Sequence, residues 1–383
     1  MTPPTPALRA SSMPKSAIRE IMALAAGRSG MIHLEVGEPE FSTPGHIIEG
    51  ALQAAREGWT KYTPNAGIPS LRALIAERYA KSRNIQITPD QVTVTVGAIG
   101  ALFTAVMVVA DPGDEVLIPD PGWPNYESIV HLAAAKPVRY LQRGENGFLP
   151  RPEDLKRLIT PATRAILVNS PGNPTGAVFP GELVQAIADL AREHGIFVIS
   201  DEIYEDIVFE DGHVSFSGRG IDDRTLIVSG VSKTYAMTGW RLGYLIAPPE
   251  LGSICAALQE PIISSAPTVS QKASEIALSG PQACVEEFRS IFRRRRDIFV
   301  EEFKGSDLLP SVPDGAFYGL IDIERKGMGS LDFAKSFLLE KNVAVVPGET
   351  FGPSCDRFVR VAFTIGDDDL REGLRRLRDY ILA

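Results

Sequence analysis

Between residues 92 and 246 the chain keeps setting a short, nearly unbroken apolar run ahead of a helix-length segment. This alternation restricts the fold more than any other feature. The runs are Val92–Val96, Glu115–Ile118, Lys136–Tyr140, Ala165–Val168, Phe197–Ile199, Leu226–Val228 and Gly243–Ile246. A strand that is apolar on both faces has to be covered on both faces. An intervening helix returns the chain so that neighbouring strands run parallel. One such cover is Glu182–His194, with Leu183, Ile187, Leu190 and Ala191 on its inward side. The expected class for this part is α/β: a mostly parallel seven-stranded sheet covered by helices.

The pattern differs on either side of it. Upstream, Ser16–Ala26 is an amphipathic helix with Ile18, Ile21, Met22 and Ala25 on one side, followed by a strand at Ile32–Val36 and a turn at Gly37-Glu38-Pro39. Pro44–Glu57 has helical spacing, Trp59–Pro69 is an irregular loop, and a helix starting at Pro69 carries Leu71, Leu74, Ile75 and Tyr79 on one face. Downstream, a long helix over Val285–Phe303 has Phe288, Ile291, Phe292 and Phe299 as its stripe. Then come a strand at Gly315–Ile323, a helix at Asp332–Lys341, strands at Ala344–Val346 and Phe358–Phe363, and a closing helix at Asp369–Leu382. Leu370, Leu374, Leu377 and Ile381 form the stripe of that last helix. A chain of 383 residues exceeds one ordinary core. The expected division is an N-terminal arm and part of a small domain at 1–44, a large domain at 45–285, and a smaller α+β domain at 286–383.

Charge and cysteine usage exclude several functions. A net charge of −9 argues against a nucleic-acid surface. The basic run Arg293–Arg296, followed by Asp297, reads as a solvated helix face or as inter-domain salt bridges. Cys255, Cys284 and Cys355 are odd in number and far apart, which fits reduced thiols. The five histidines include no His-x-x-x-His pair, so no zinc site is expected. The N-terminus has no apolar signal core, and the longest apolar run, Ala101–Ala110, is too short to span a bilayer. A soluble cytoplasmic protein without membrane contacts is the expectation.

In open α/β sheets a ligand sits beyond the carboxyl ends of the strands. The segments there are Gly97–Gly100, Asn169–Gly176, Ser200–Tyr204 and Ser229–Lys233, all able to meet one ligand. Taken singly they mean little. Lys233 in a Gly/Ser loop is ordinarily a surface lysine, Asp201 a cap or surface carboxylate, Trp123 a core or interface ring, and Gly37-Glu38-Pro39 a turn. Together, Lys233 and Arg241, the latter between Gly239 and Gly243, supply what pyridoxal phosphate requires: an amine for a Schiff base and a guanidinium for the phosphate.

From about Leu34 to the C-terminus the chain resembles the class I/II aminotransferases, the aspartate aminotransferase family of pyridoxal-phosphate enzymes. The resemblance is carried by Gly37-Glu38-Pro39, Lys61-Tyr62-Thr63-Pro64, Asn173-Pro174-Thr175-Gly176, Asp201-Glu202-Ile203-Tyr204 and the stretch Gly230–Gly243, in that order. It implies that Lys233 forms the Schiff base and then moves the proton. Asp201 would keep the pyridine nitrogen protonated, and Tyr204 with Asn173 would meet the phenolic oxygen. Trp123 would stack on the ring. The backbone N–H groups of Ala98 and Ile99, with Arg241, would hold the phosphate. Tyr62 would reach the phosphate of the neighbouring subunit, which implies a homodimer with shared active sites. Arg360 would grip the substrate α-carboxylate, assisted by Asn173 and the Gly37 N–H. The resemblance also implies cis peptide bonds before Pro121 and Pro174.

It implies a ping-pong aminotransferase acting on an L-amino acid and a 2-oxo acid, with 2-oxoglutarate as the expected acceptor. Closure of the small domain on substrate would be consistent with both Gly37 and Arg360 lying there. Two departures stand out. Gly230 occupies a place where some members have a phosphate-binding serine. Ile99 occupies a place where the bacterial aspartate-specific subgroup has a lysine for the substrate's second carboxylate. Weak selection for aspartate and a preference for apolar or aromatic donors are therefore expected. Three alternatives remain at this point. The same cofactor frame supports carbon–sulfur lyases and decarboxylases. A dinucleotide dehydrogenase lacks its Gly-x-Gly-x-x-Gly here and leaves Lys233, Asp201 and Arg241 unexplained. A non-catalytic ligand-sensing domain would not need the whole catalytic set.

Overall fold

A computed structural model describes residues 4–11, 13, 17–83, 85–210 and 212–383. The expected helix start at Ser16 lies outside those residues. The chain opens with α1 (Leu8–Ser11), α2 (Ala17–Ala25), β1 (Ile32–His33), α3 (Gly45–Arg56) and α4 (Pro69–Arg83). The alternating region follows as β2 (Val92–Thr95), α5 (Gly97–Val109), β3 (Glu115–Asp120), α6 (Asn125–Leu132), β4 (Lys136–Leu141), α7 (Pro152–Leu158), β5 (Thr163–Asn169) and α8 (Gly181–His194). It continues with β6 (Phe197–Asp201), β7 (Thr225–Gly230) and β8 (Gly243–Ile246). Three helices come next: α9 (Pro249–Ile263), α10 (Thr268–Ser279) and α11 (Ala283–Glu302). The end of the chain holds β9 (Tyr318–Asp322), α12 (Ser330–Lys341), β10 (Val343–Ala344), β11 (Val346–Pro347), β12 (Phe358–Ala362) and α13 (Asp367–Leu382).

The seven expected strands form one sheet in the order β2-β8-β7-β6-β5-β3-β4, in which β8 alone runs antiparallel to its neighbours. Alternate residues of a strand serve opposite faces. Val116 and Ile118 pack with Leu102, Val106 and Ile129, whereas Leu117 packs with Ile187 and Leu155 on the other side. Both faces are therefore dry, as the unbroken apolar runs require. Helices α6, α7, α9 and α10 were not foreseen. The buried residues of α9 and α10 are small or polar (Gly252, Cys255 and Gln259; Ser270, Gln271, Ala273, Ser274 and Ala277), so the apolar stripe that marks a helix is weak there.

A third cluster surrounds the three-stranded antiparallel sheet β11-β12-β9, covered by α11, α12 and α13. Leu370, Leu374, Leu377 and Ile381 are all buried in it, together with Ile21, Ile32 and Leu34 from the beginning of the chain. Two strand expectations need correction. The expected strand Ala344–Val346 is two strands: β10 pairs in parallel with β1, and β11 pairs antiparallel with β12, so the chain changes sheets at Val345. All three residues are buried, so no polarity change marks the crossing. The strand expected over Ile32–Val36 stops at His33. Beyond it the Glu35 carbonyl accepts from the Arg360 guanidinium and the Val36 carbonyl from the Thr364 hydroxyl, at 2.9 Å in the second case. These carbonyls serve side chains instead of a ladder.

The basic run on α11 is only half solvated. Arg295 and Arg296 are buried. Arg295 pairs with Glu40 and, at 3.1 Å, with Asp367; Arg296 pairs with Glu210 at 3.0 Å and donates to the Pro313 carbonyl. By the expected domain bounds only Arg296–Glu210 among these pairs is inter-domain, since Glu40 and Asp367 fall with Arg295 in the small one; the helix is tied both to the segment after Gly37 and to the segment after β6. No helix among the described residues is long and apolar enough to cross a membrane. Leu374→Ala empties a fully buried site and should lower unfolding stability by about 2–5 kcal/mol in urea titration.

Candidate active site

A cavity of about 400 Å³ opens where the carboxyl ends of the parallel strands meet the segment Glu35–Glu38 and residues of α2 and α5. Strands β5 and β6 end opposite each other, Asn169 beside Asp201. Asn169 binds the Asp201 carbonyl through its amide nitrogen at 3.0 Å and receives the Asn173 N–H on its side-chain oxygen at 2.8 Å. One Asp201 oxygen accepts from the Tyr126 hydroxyl at 2.7 Å, the other from the Ile203 N–H at 3.2 Å. Burial nevertheless raises the Asp201 carboxyl to about 6, against the opposing pull of those two bonds. A cationic ring nitrogen docked on that carboxylate would keep it ionised.

Lys233 follows β7 and is half-buried; its Nζ donates to the Gly37 carbonyl at 2.8 Å. Desolvation lowers its pKa to about 8, and the nearby Arg360 and Arg241 push the same way against Glu38 and Asp201. A lysine with a depressed pKa has a usable neutral fraction as nucleophile and proton carrier near neutral pH. Tyr204 is buried with its hydroxyl 3.0 Å from that of Tyr318, and burial raises its pKa well above the ordinary phenolic range. Trp123 lines the cavity and meets Tyr126 edge-on, at 5.6 Å between ring centroids.

The end of the cavity at the start of α5 is shaped by glycines. Helix α5 begins at Gly97 with no side-chain cap, so the N–H groups of Ala98 and Ile99 are free to face an anion. A Cβ on Gly97 would come within 2.6 Å of Arg241 Nη2, and one on Gly243 within 2.3 Å of the Ala98 nitrogen. Glycine at both places lets β8 and Arg241 lie against the helix start. Gly230 faces Gly243 across the ladder, where a Cβ would meet the Gly243 Cα at 2.9 Å. That contact explains why a bulkier residue such as serine is absent there.

Arg360, in the middle of β12, is buried, and desolvation lowers its pKa. It donates to Asn173 Oδ1 at 3.3 Å and lies 4.5 Å over the Tyr318 ring. Its Nε is buried without a hydrogen-bond partner, and it makes no salt bridge among the described residues. A buried cation in that state is a receptor for a carboxylate. Buried acid, depressed lysine, helix start with arginine, and unpaired guanidinium together fit pyridoxal phosphate and an amino acid.

The match extends to whole proteins. The chain matches a family model described as aminotransferase class I and II over residues 29–377. An aspartate/prephenate aminotransferase of Thermus thermophilus is 41% identical over 359 residues, which is 92% of each chain. The structure of the Thermus thermophilus aspartate aminotransferase with maleate superposes at a TM-score of 0.93, with 40% identity, covering 98% of this chain and 99% of the other. An aromatic aminotransferase from Pyrococcus horikoshii superposes at 0.88 with 37% identity, covering 95% and 98%. The chain belongs to the class I and II aminotransferases. It is a pyridoxal-phosphate-dependent enzyme that transfers amino groups, and a lyase reaction is not favoured.

Of the residues singled out in the sequence, Gly37, Ala98, Ile99, Trp123, Asn173, Asp201, Tyr204, Lys233, Arg241 and Arg360 all line this cavity. Tyr62 does not. It is 89% exposed, beside Trp59 and Lys61. The peptide bonds before Pro121 and Pro174 are cis, and so is that before Pro171. Sequence reasoning missed Tyr126 and Tyr318, and it reached Asn169 only as the first residue of the segment after the apolar run Ala165–Val168, with no role of its own. Asn169 had a signal, being the first polar residue after an apolar run. Tyr318 sits in an apolar strand and reads as core; only the fold puts its hydroxyl on Tyr204. No cluster of metal-ligating side chains occurs among the described residues.

Two outcomes test this geometry. Gly243→Ala overpacks the start of α5 at a cost of about 1–3 kcal/mol, so cofactor affinity should fall on the order of tenfold in absorbance titration. Asp201 ionises near about 6 in the fold and near about 3.9 unfolded, so its ionisation destabilises the cofactor-stripped protein as pH rises through that window. Stripped Asp201→Asn should therefore melt above stripped wild type at pH near 8, by about 1–3 kcal/mol, with the gap closing toward pH near 4.

Proposed function

We propose that this aminotransferase takes its amino group from an L-amino acid with an apolar or aromatic side chain. The observation that carries the reading is the cavity wall. Ile99 and Leu102 of α5 and Ile18 and Met22 of α2 line it, in the place where a substrate side chain needs room. The cations lining the cavity among the described residues are Lys233, Arg241 and Arg360, each already matched to amine, phosphate or α-carboxylate. None is left for a second carboxylate of aspartate. The Thermus relative is an aspartate/prephenate enzyme by name, and the Pyrococcus structure an aromatic one, so the donor varies among relatives.

Bound pyridoxal phosphate supplies an aldehyde and an electron-withdrawing ring. The residues do the rest. Lys233, held by the Gly37 carbonyl, takes and returns the proton of the substrate Cα. Asp201, oriented by Tyr126, holds a proton on the ring nitrogen. Tyr204 and Asn173 bind the phenolic oxygen, and Trp123 restricts the ring's orientation. Ala98, Ile99 and Arg241 fix the phosphate. Arg360, with Asn173 and the Gly37 N–H, aligns the α-carboxylate and with it the bond to be broken. The proposed acceptor is 2-oxoglutarate, whose longer arm can leave its second carboxylate hydrated at the cavity mouth, where Met22 is exposed.

The exposure of Tyr62 supports a homodimer in which it completes the partner subunit's phosphate site. Movement of a small domain (1–44 with 286–383) against a large one (45–285) would close the cavity, because Gly37 and Arg360 of the one and Asp201 and Lys233 of the other all line it. Free thiols at Cys255, Cys284 and Cys355 support a reducing, cytoplasmic setting.

Mixing the purified enzyme with single amino acids and following cofactor absorbance tests the donor. Leucine, methionine or phenylalanine should convert the cofactor at least about tenfold more efficiently than aspartate, a difference of about 1.4 kcal/mol. Preference for aspartate would overturn the donor assignment, and release of ammonia and a thiol without conversion of the cofactor to its amine form would overturn transamination. Ile99→Lys should raise kcat/KM for aspartate by about tenfold or more. Lys233→Ala should abolish turnover.

A further inference from the structure

A second cavity, of about 1180 Å³, opens between α4, the segment that follows β6, and α11. It shares no lining residue with the active site, although Tyr204 lines one cavity and the adjacent Glu205 the other. Six cationic side chains line it: Arg78, Lys81, Arg83, Arg219, Arg289 and Arg293. Among the described residues three carboxylates line it too, Glu205, Asp206 and Glu210, while Glu202 and Glu286 pair with Arg83 and Arg289 from outside the lining. A local positive excess in a chain of net charge −9 is the reverse of the surface average.

The carboxylates are already engaged. Arg78 pairs with Asp206 at 3.3 Å, Arg83 with Glu205, and Arg293 with Glu210 at 3.2 Å. Arg289 pairs with Glu286 of its own helix. Two cations are left over. Among the described residues the exposed Lys81 has no ion pair, and Arg219 donates only to the Ser215 carbonyl, at 3.2 Å.

The floor beneath them is ordered. Arg83 lies 4.0 Å over the Tyr79 ring, 3.4 Å from the fully buried Glu202, and its Nε is buried without a partner. Glu202 also accepts from His213 at 3.0 Å and from Ser215 at 2.8 Å. The His213 side chain is only 6% exposed, and its Nδ1 is buried without a partner as well. Ordinary solvated arginines do not sit on a floor of this kind. Charged groups held in place before a ligand arrives lose little freedom on binding it.

We propose that this groove is a binding site for a small polyanion bearing phosphate or carboxylate groups. Lys81 and Arg219 provide the unpaired charge on one wall, and Arg289 and Arg293 of α11 provide the other. One charged group is not enough to use both walls, so the ligand carries at least two. Arginine on either side favours oxygen anions that accept two hydrogen bonds at once.

Calorimetric titration of the cofactor-loaded enzyme with pyrophosphate, and separately with citrate, tests the site. Saturable binding of one or both is expected, weakening as salt rises from about 50 mM to about 300 mM. Lys81→Glu/Arg219→Glu should lose about tenfold or more in affinity while keeping turnover, because neither residue lies in the active site. Lys81→Ala/Arg219→Ala should show a smaller loss in the same direction. Binding of pyrophosphate alone identifies a phosphorylated ligand, and binding of citrate alone a polycarboxylate. No saturable binding of either probe up to about 10 mM, weaker than any useful affinity, overturns the proposal. Binding unchanged in the double variants overturns it equally, since the anion would then be sitting elsewhere.

Discussion

Lys233, Asp201 and Arg360 meet around one cavity, the acid and the arginine buried and the lysine half-buried, and none of them has a salt bridge among the described residues. Removing a charge from water costs far more than a well-packed apolar neighbour returns. The surrounding structure can be understood as what makes that burial tolerable. A seven-stranded sheet with both faces dry supplies the stability. Polar groups at strand ends then hold each charge by hydrogen bonds without cancelling it: Tyr126 on Asp201, the Gly37 carbonyl on Lys233, Asn173 on Arg360. The directions of the shifts, up for the acid and down for the two bases, share one cause in burial. A cofactor and substrate carrying the complementary charges would relieve all three.

The end of the cavity at the start of α5 depends on a different constraint, the absence of side chains. Gly97, Gly230 and Gly243 meet where β7, β8 and the start of α5 converge, and a single added carbon at any of them would strike backbone or Arg241. Close approach brings the helix start and the arginine onto one spot, so two weak anion binders act together. The salt bridges of α11 have a comparable effect at longer range. Arg295 reaches Glu40, close in sequence to Gly37, while Arg296 reaches Glu210, beyond Tyr204. One buried helix thus ties together both chain segments that face the active site.

Local rules made much of this legible. Apolar period and length identify all seven strands of the large sheet, most of them because a strand buried on both faces cannot hide its composition; the edge strand β4, with only Tyr140 buried, is the exception. Polar residues after such strands mark Asp201, Asn173 and Lys233, since a ligand at the carboxyl ends needs them there. Local rules fail where the information is not local. Val345 is as buried as its neighbours, so nothing in Ala344–Val346 announces a change of sheet. Glu35 and Val36 look like strand but give their carbonyls to Arg360 and Thr364, more than three hundred residues away.

The amino-acid sequence by itself therefore determined the alternating α/β frame, the family, the cofactor chemistry and the absence at Ile99 of a charge for a second carboxylate. Each of these is written in residue type and short-range order. Tertiary structure alone decided which groups touch. Tyr126 finds Asp201, Tyr318 finds Tyr204, and α2 brings Ile18 and Met22 to the cavity wall. It also decided that four arginines in a row divide into two buried ties and two solvated side chains. The reason is common to all of them: burial and contact are properties of segments distant in the chain, and no window of sequence contains both partners.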